Sequence, residues 1–195
     1  MKSSLIKKSL ICLFLMSFFA CNNNETNSDY SRILGKVERH SNEGNLTMAI
    51  KELDKGIKLY SDSSELYLQK MMYLIRNKEH QNLSKHLDIM IDQEINMNAA
   101  YTYKGLLFDH SNELDSAYKY YKLGHELSQQ QNLSKEESAL DELLFLELIG
   151  EDSLARIRRT EIVEQFSDNQ HVNTFIYILE TKGIQEYKKQ MINVN

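Results

Sequence analysis

"YTYKGLLFDHSNELDSAYKYYKLGHEL" (residues 101–127) decides the architecture. Its apolar residues recur at helical spacing on either side of a turn at Asn112, which reads as two amphipathic helices. Small residues stand inside both helices: Gly105 in the first, Ala117 in the second. The same order occurs upstream in "GNLTMAIKELDKGIKLYSDSSELYLQK" (44–70). There Ala49, Leu53 and Gly56 match Ala117, Tyr121 and Gly124. Ala49 and Ala117 lie 68 residues apart, and the midpoint, Leu83, is followed by Leu87 and Met90 at the same offsets. Turn residues fall at Gly44, Lys78, Asn112, Gly150 and Gly183, in steps of 34, 34, 38 and 33. A near-constant period in this range marks a repeated supersecondary unit. The extra four residues fall in "SQQQNLSKEE" (128–137), where a longer loop is expected.

This spacing resembles the tetratricopeptide repeat. Tyr67 and Tyr101 take the place of the aromatic near the start of the first helix of a unit. Gly105 takes the small place, followed by Phe108, and Ala117 is the small residue of the second helix. In the second unit Met71, Leu83 and Met90 replace small residues, which sets those helices further apart. No unit has the family's usual proline, and the chain has no proline at all. The resemblance covers about 30–192 and is strongest over 44–127. It implies an all-α chain of antiparallel helix pairs wound into a right-handed superhelix. A non-repeating helical bundle would share the composition; the constant step of the turns favours stacked pairs. The predicted helices are 30–42, 46–60, 64–77, 81–94, 97–111, 114–129, 134–149, 152–166 and 169–181, with a last one at 184–192 that either closes the stack or folds back into its groove. Asp62 with Glu65 and Ser134 with Glu137 have capping-box spacing. Asn45 and Asn82 are positioned to cap the helices they precede.

The N-terminus gives an address. Lys2, Lys7 and Lys8 precede an uncharged run from Ser9 to Ala20. The run falls short of the roughly 20 apolar residues that span a bilayer, so residues 1–20 read as a signal peptide. "FFAC" (18–21) resembles a bacterial lipobox, which implies acylation of Cys21. "CNNNETNSD" (21–29) then serves as a polar tether. Acyl chains in combination anchor a protein lastingly where a single chain does not. Residues 30–195 form the repeat domain with its terminal capping helix. Loss of residues 1–20 leaves 20 Lys and Arg against 28 Asp and Glu, a net charge of −8. That balance argues against nucleic acid and against broad adhesion to anionic lipid. Cys12 leaves with the leader, so no thiol remains for a disulfide or nucleophile. The chain is similar to tetratricopeptide-like lipoproteins of Bacteroidota type, which implies the cell envelope, at the outer membrane. "DSA" (115–117) and "DSL" (152–154) resemble the O-glycosylation motif of that group.

Reactive chemistry is sparse. None of the six histidines stands four from another, so no helix offers a metal two of them on one face. Each reads as a surface or groove residue. "RIRR" (156–159) and the carboxylates of 134–152 read as solvated faces. No catalytic residue, metal ligand or cofactor is expected. The resemblance places the partner site on the concave side, at Leu68, Met72, Arg76, Thr102, Leu106, Asp109, His110, Leu140 and Leu144, with Leu34, Glu38 and Ile75 facing the same groove. The expected function is a membrane-anchored, non-catalytic module that binds a peptide or helix of another envelope protein. The alternative is an accessory lipoprotein of an outer-membrane assembly or transport machine. An envelope hydrolase ranks last.

Overall fold

The computed structural model describes residues 28–131 and 133–192. The leader, Cys21 and residues 22–27 of the tether lie outside them. The described residues form nine helices and no strand: α1 (Ser28–Asn42), α2 (Leu46–Leu59), α3 (Ser64–Arg76), α4 (His80–Asp92), α5 (Met97–His110), α6 (Leu114–Ser128), α7 (Lys135–Ile149), α8 (Asp152–Gln165) and α9 (Gln170–Ile192). The fold is all-α, and each helix packs on the next. α1 begins at Ser28, inside the expected tether. The longer loop predicted after α6 is present, between Ser128 and Lys135.

The turns explain the period. Gly44, Lys78, Asn112 and Gly150 all have positive φ, from 58° to 79°. Each closes a helix with the same pair of bonds. Gly44 N donates to Ser41 O at 3.0 Å and Asn45 N to His40 O at 2.8 Å. Lys78 with Glu79, Asn112 with Glu113, and Gly150 with Glu151 repeat the pattern. This is the Schellman motif, which satisfies the last helical carbonyls and demands a left-handed residue. Glycine meets that demand without cost and asparagine at little cost, whereas lysine does so against a penalty of about 1 kcal/mol. Lys78→Gly is therefore expected to stabilise the protein by about 1 kcal/mol, measured by urea unfolding.

Helix starts follow local chemistry less uniformly. The Ser134–Glu137 capping box forms, with Glu137 N on Ser134 Oγ at 3.2 Å and Ser134 N on Glu137 Oε2 at 3.0 Å. Asn45 Oδ1 accepts from Met48 N at 3.2 Å. The other two expected caps do not form. Ser63 holds the N-cap position of α3, and Glu65 instead accepts from Tyr30 Oη of α1 at 2.7 Å. Asn82 lies inside α4 and donates to Glu79, the residue at that helix's start.

Packing carries the repeat. Ala49, Leu83, Ala117 and Ala155 each sit five residues past a turn, and none is more than 2% exposed. The core runs as three clusters along the chain. Ile33, Val37, Leu53 and Leu66 join α1, α2 and α3. Met71, Leu74, Leu83, Leu87, Met90, Leu106 and Tyr121 fill the centre. Leu143, Ala155, Ile162, Val172, Phe175 and Leu179 join α7, α8 and α9. α5 and α6 form the tightest pair. A Cβ on Gly105 would stand 2.5 Å from Tyr121 ring carbons and 3.2 Å from the Ala117 carbonyl oxygen.

Buried polar groups correct the expectation of solvated charges. His86 is 2% exposed, stacked on Tyr67, with Nε2 3.0 Å from the Tyr67 carbonyl oxygen. Glu147 is buried against Arg159, and Arg158 pairs with Glu142 at 2.9 Å, so "RIRR" binds α8 to α7. Lys104, also buried, donates to Ser84 O, Ser84 Oγ and Asp88 Oδ1 at 3.3, 2.9 and 2.6 Å.

Candidate interaction face

The last helix is not continuous. Gly183 has φ 72° and ψ 162°, a combination essentially restricted to glycine. Before this break, Val172, Phe175, Ile176 and Leu179 anchor α9 in the third cluster. After it, residues 184–192 do not simply close the end of the stack, the first of the two places expected for them. They cross back, and α9 contacts α3, α5 and α7 as well as α8.

The sequence of this segment explains its seat. Ile184, Tyr187, Lys188, Met191 and Ile192 fall at i, i+3, i+4, i+7 and i+8, the spacing of a single helix face. Gln185, Glu186 and Lys189 are exposed. Ile192 is buried in the central cluster with Met71 and Ile75 of α3. Ile184 and Met191 pack against both the central and third clusters. The Tyr103 hydroxyl of α5 lies 3.8 Å from Met191 Sδ. Tyr187 is buried edge-on to Phe175, with ring centroids 6.1 Å apart.

One polar pocket interrupts the apolar seat. Lys188 Nζ donates to Asp109 Oδ2 at 2.5 Å and to the Leu148 carbonyl at 3.0 Å. It stands 5.7 Å from the centre of the Tyr121 ring. Tyr121 Oη donates to the same Asp109 oxygen at 3.1 Å. Leu148 lies in the last turn of α7, where carbonyls lack helical partners and the helix dipole favours a cation. The ammonium thus meets a carboxylate, an orphan carbonyl and an aromatic face. Burial, with the Asp109 charge beside it, raises the Tyr121 hydroxyl far above its ordinary range, so it stays protonated and donates. Burial does the same to Tyr103 and Tyr187.

Of the residues expected on the concave side, Leu68, Met72, Ile75, Leu106 and Leu144 meet in or against the central cluster, while the others have different neighbours. Asp109 belongs to the lysine pocket, and Leu144 packs against both the central and third clusters, as Ile184 and Met191 do. Leu68 and Met72 are half-buried against the central cluster. Leu106 and Leu140 are core residues, at 1% and 7% exposure, and present no free surface. Arg76 turns outward to Ser41 Oγ of α1 at 3.2 Å and covers the Tyr73 ring. Thr102 faces Gly124 of α6. His110 meets His80 of α4 edge-on, with centroids 5.2 Å apart. The residues that sequence reasoning missed are Lys188, Tyr187, Met191 and Ile192, whose spacing along one helix face was the available signal.

Two other groupings bear on chemistry. His80 and His110 line a half-open cleft of about 280 Å³ with Gln81, Ser84, Lys104 and Glu113. Ser128, His125 and Asp141 converge where α6 meets α7: His125 Nδ1 is 3.0 Å from Asp141 Oδ2, and Ser128 Oγ donates to that same oxygen. The serine hydroxyl is therefore bound to the carboxylate and not to an imidazole nitrogen, which is the wrong connection for activating a nucleophile. Among the described residues no cluster of three or more His, Cys, Asp or Glu could hold a metal ion. Among the same residues no helix is long and apolar enough to cross a membrane. Compared with known proteins, the chain matches no family model, no curated protein and no solved structure.

Proposed function

We propose that this protein is a lipid-anchored interaction module of the bacterial cell envelope, built as a tetratricopeptide-like superhelix. It holds a helix from another envelope protein on the face of α3, α5 and α7. One observation supports this above the others: that face already accommodates an amphipathic helix, residues 184–192, through an apolar strip and one lysine pocket. Helix-in-groove recognition uses this pattern of anchors at i, i+3, i+4 and i+7. Cys21 carries the acyl anchor in this reading, and the −8 charge of the mature chain suits a protein partner rather than an acidic polymer.

The test is crosslinking in intact cells from a photoreactive residue at Met72, which is half-buried on α3. The expected result is a discrete adduct with one envelope protein. An adduct with an outer-membrane barrel would favour the accessory-machine reading. Absence of any adduct at Met72, with adducts from an outer-face site such as Tyr118, would remove the groove from the account.

A further inference from the structure

The face that the proposed function assigns to a partner is covered by the chain's own tail. We infer that residues 184–192 are a built-in competitor. The partner is a helix with the same chemistry: apolar residues at the spacing of Ile184, Tyr187, Met191 and Ile192, and a lysine at the place of Lys188. The inference rests on the groove reading and adds how the groove is kept closed and what opens it.

Three observations carry it. First, the segment hangs from a single non-helical residue. No atom beyond Gly183 and its chain neighbours lies within 4 Å of where a Cβ on Gly183 would be, so the requirement for glycine there comes from its dihedrals and not from packing. Rotation at this one residue lets α9 run straight from Gln170 to Ile192 and lifts the segment off the face. Second, nine residues are too few to hold a helix alone in water. Outside its seat the segment gains most by joining the helix before it. Third, the lysine pocket is a recognition device. Asp109, the Leu148 carbonyl and the Tyr121 ring surround a cation on three sides, and a neutral or acidic residue at that place leaves Asp109 without its counter-charge. A tethered competitor acts at an effective concentration in the millimolar range, on the order of that for short linkers. A free helix therefore binds the intact chain weakly until the tail is released.

The test uses the full chain in detergent and a fluorescein-labelled peptide of residues 184–195, followed by anisotropy. Gly183→Ala makes the bent conformation costly without steric conflict and favours the straight helix. It is expected to bind the peptide at least tenfold more tightly than the native chain. A peptide carrying Lys188→Glu should lose that binding, and Asp109→Lys in the Gly183→Ala chain should restore it. A Gly183→Ala dimer that excess peptide dissociates also supports the inference, since the tail has then left its own seat for that of a second copy. Equal affinity for native and Gly183→Ala chains, or indifference to the charge at 188, overturns it. If Gly183→Ala lacks a cooperative unfolding transition, Lys188→Glu in the intact chain loosens the tail without touching the hinge, and the same tenfold gain is required of it. The two levels fail differently. Peptide binding with no partner adduct at Met72 in the Gly183→Ala chain, whose tail is released, removes the groove reading. A partner adduct whose yield Gly183→Ala leaves unchanged removes the competitor.

Discussion

Gly105→Val lowers the unfolding free energy by about 3 kcal/mol, which for a chain of this size is a fall in Tm of roughly 6–12 °C. The cause is the closeness of α5 and α6. The first added carbon alone falls 2.5 Å from Cδ1 and Cε1 of Tyr121, inside any real carbon–carbon contact. The ring has little room to retreat: Tyr121 is 3% exposed, and its hydroxyl is tied to Asp109. The other near atom, the Ala117 carbonyl oxygen, is backbone. Overpacking a tight core costs about 1–3 kcal/mol, and the two methyl carbons that valine adds beyond Cβ bring the result to the upper end. Alanine at 105 recovers about 1 kcal/mol of helix propensity and should cost less. Gly35→Ala is the control. It lies on the exposed side of α1, where a Cβ meets nothing within 4 Å, so a stabilisation of up to about 1 kcal/mol is expected. Thermal unfolding of the three variants by circular dichroism checks the order. A Gly105→Val chain as stable as the native one would show that the two helices can separate freely.

Acid should destabilise the protein well before its carboxylates are protonated. His86 is buried between helices, and burial lowers its pKa from 6.5 to about 4; the bond to the Tyr67 carbonyl raises it only in part, and Lys70 nearby lowers it further. The neutral ring is the folded form. Above pH 6.5 the ring is neutral in both states and exacts no penalty. As pH falls from 6.5 towards 4, the unfolded chain takes up a proton that the folded chain refuses, and stability is lost across that window. At about 1.4 kcal/mol per pH unit, the loss reaches about 3 kcal/mol at pH 4. His86→Phe keeps the stacked ring over Tyr67 and removes the proton site. Urea titrations at pH 7.5 and pH 4 should give a drop about 3 kcal/mol larger for the native chain than for the variant. Equal drops would assign the acid sensitivity elsewhere, first to Glu52, whose carboxyl is held below its usual range by Lys55 and titrates at lower pH.

Helices and turns were legible because short-range chemistry sets them. Gly44 and Gly150 announce left-handed caps by composition, and Asn112 tolerates one. Lys78 does not, and only the 34-residue step located it. The interior was partly legible too. His86 lies with Leu83, Leu87 and Met90 at i, i+3, i+4 and i+7 on one face of α4, which marks it as buried. Treating every histidine as a surface residue overlooked that face. The candidate site was less readable. A helix packed on both sides divides its surface among several neighbours, so Thr102 and His110, close in register to Asp109, face α6 and α4 instead. Spacing left two places open for 184–192, the end of the stack or the groove, and did not choose between them. Its stripe is visible, but a stripe names no destination, and the decisive bonds join residues far apart along the chain.

Those bonds change how the molecule holds together. Lys188–Asp109 spans 79 positions and Tyr103–Met191 spans 88. An open array of helix pairs frays from either end, each unit depending only on its neighbours. Here the tail is fastened to the middle, which turns a ladder into a loop and raises the contact order. During synthesis α3, α5 and α7 emerge first and wait, uncovered on that side, until residues 184–192 arrive. That face is therefore completed only when residues 184–192 have been made, and a chain stopped at Gly183 leaves it bare.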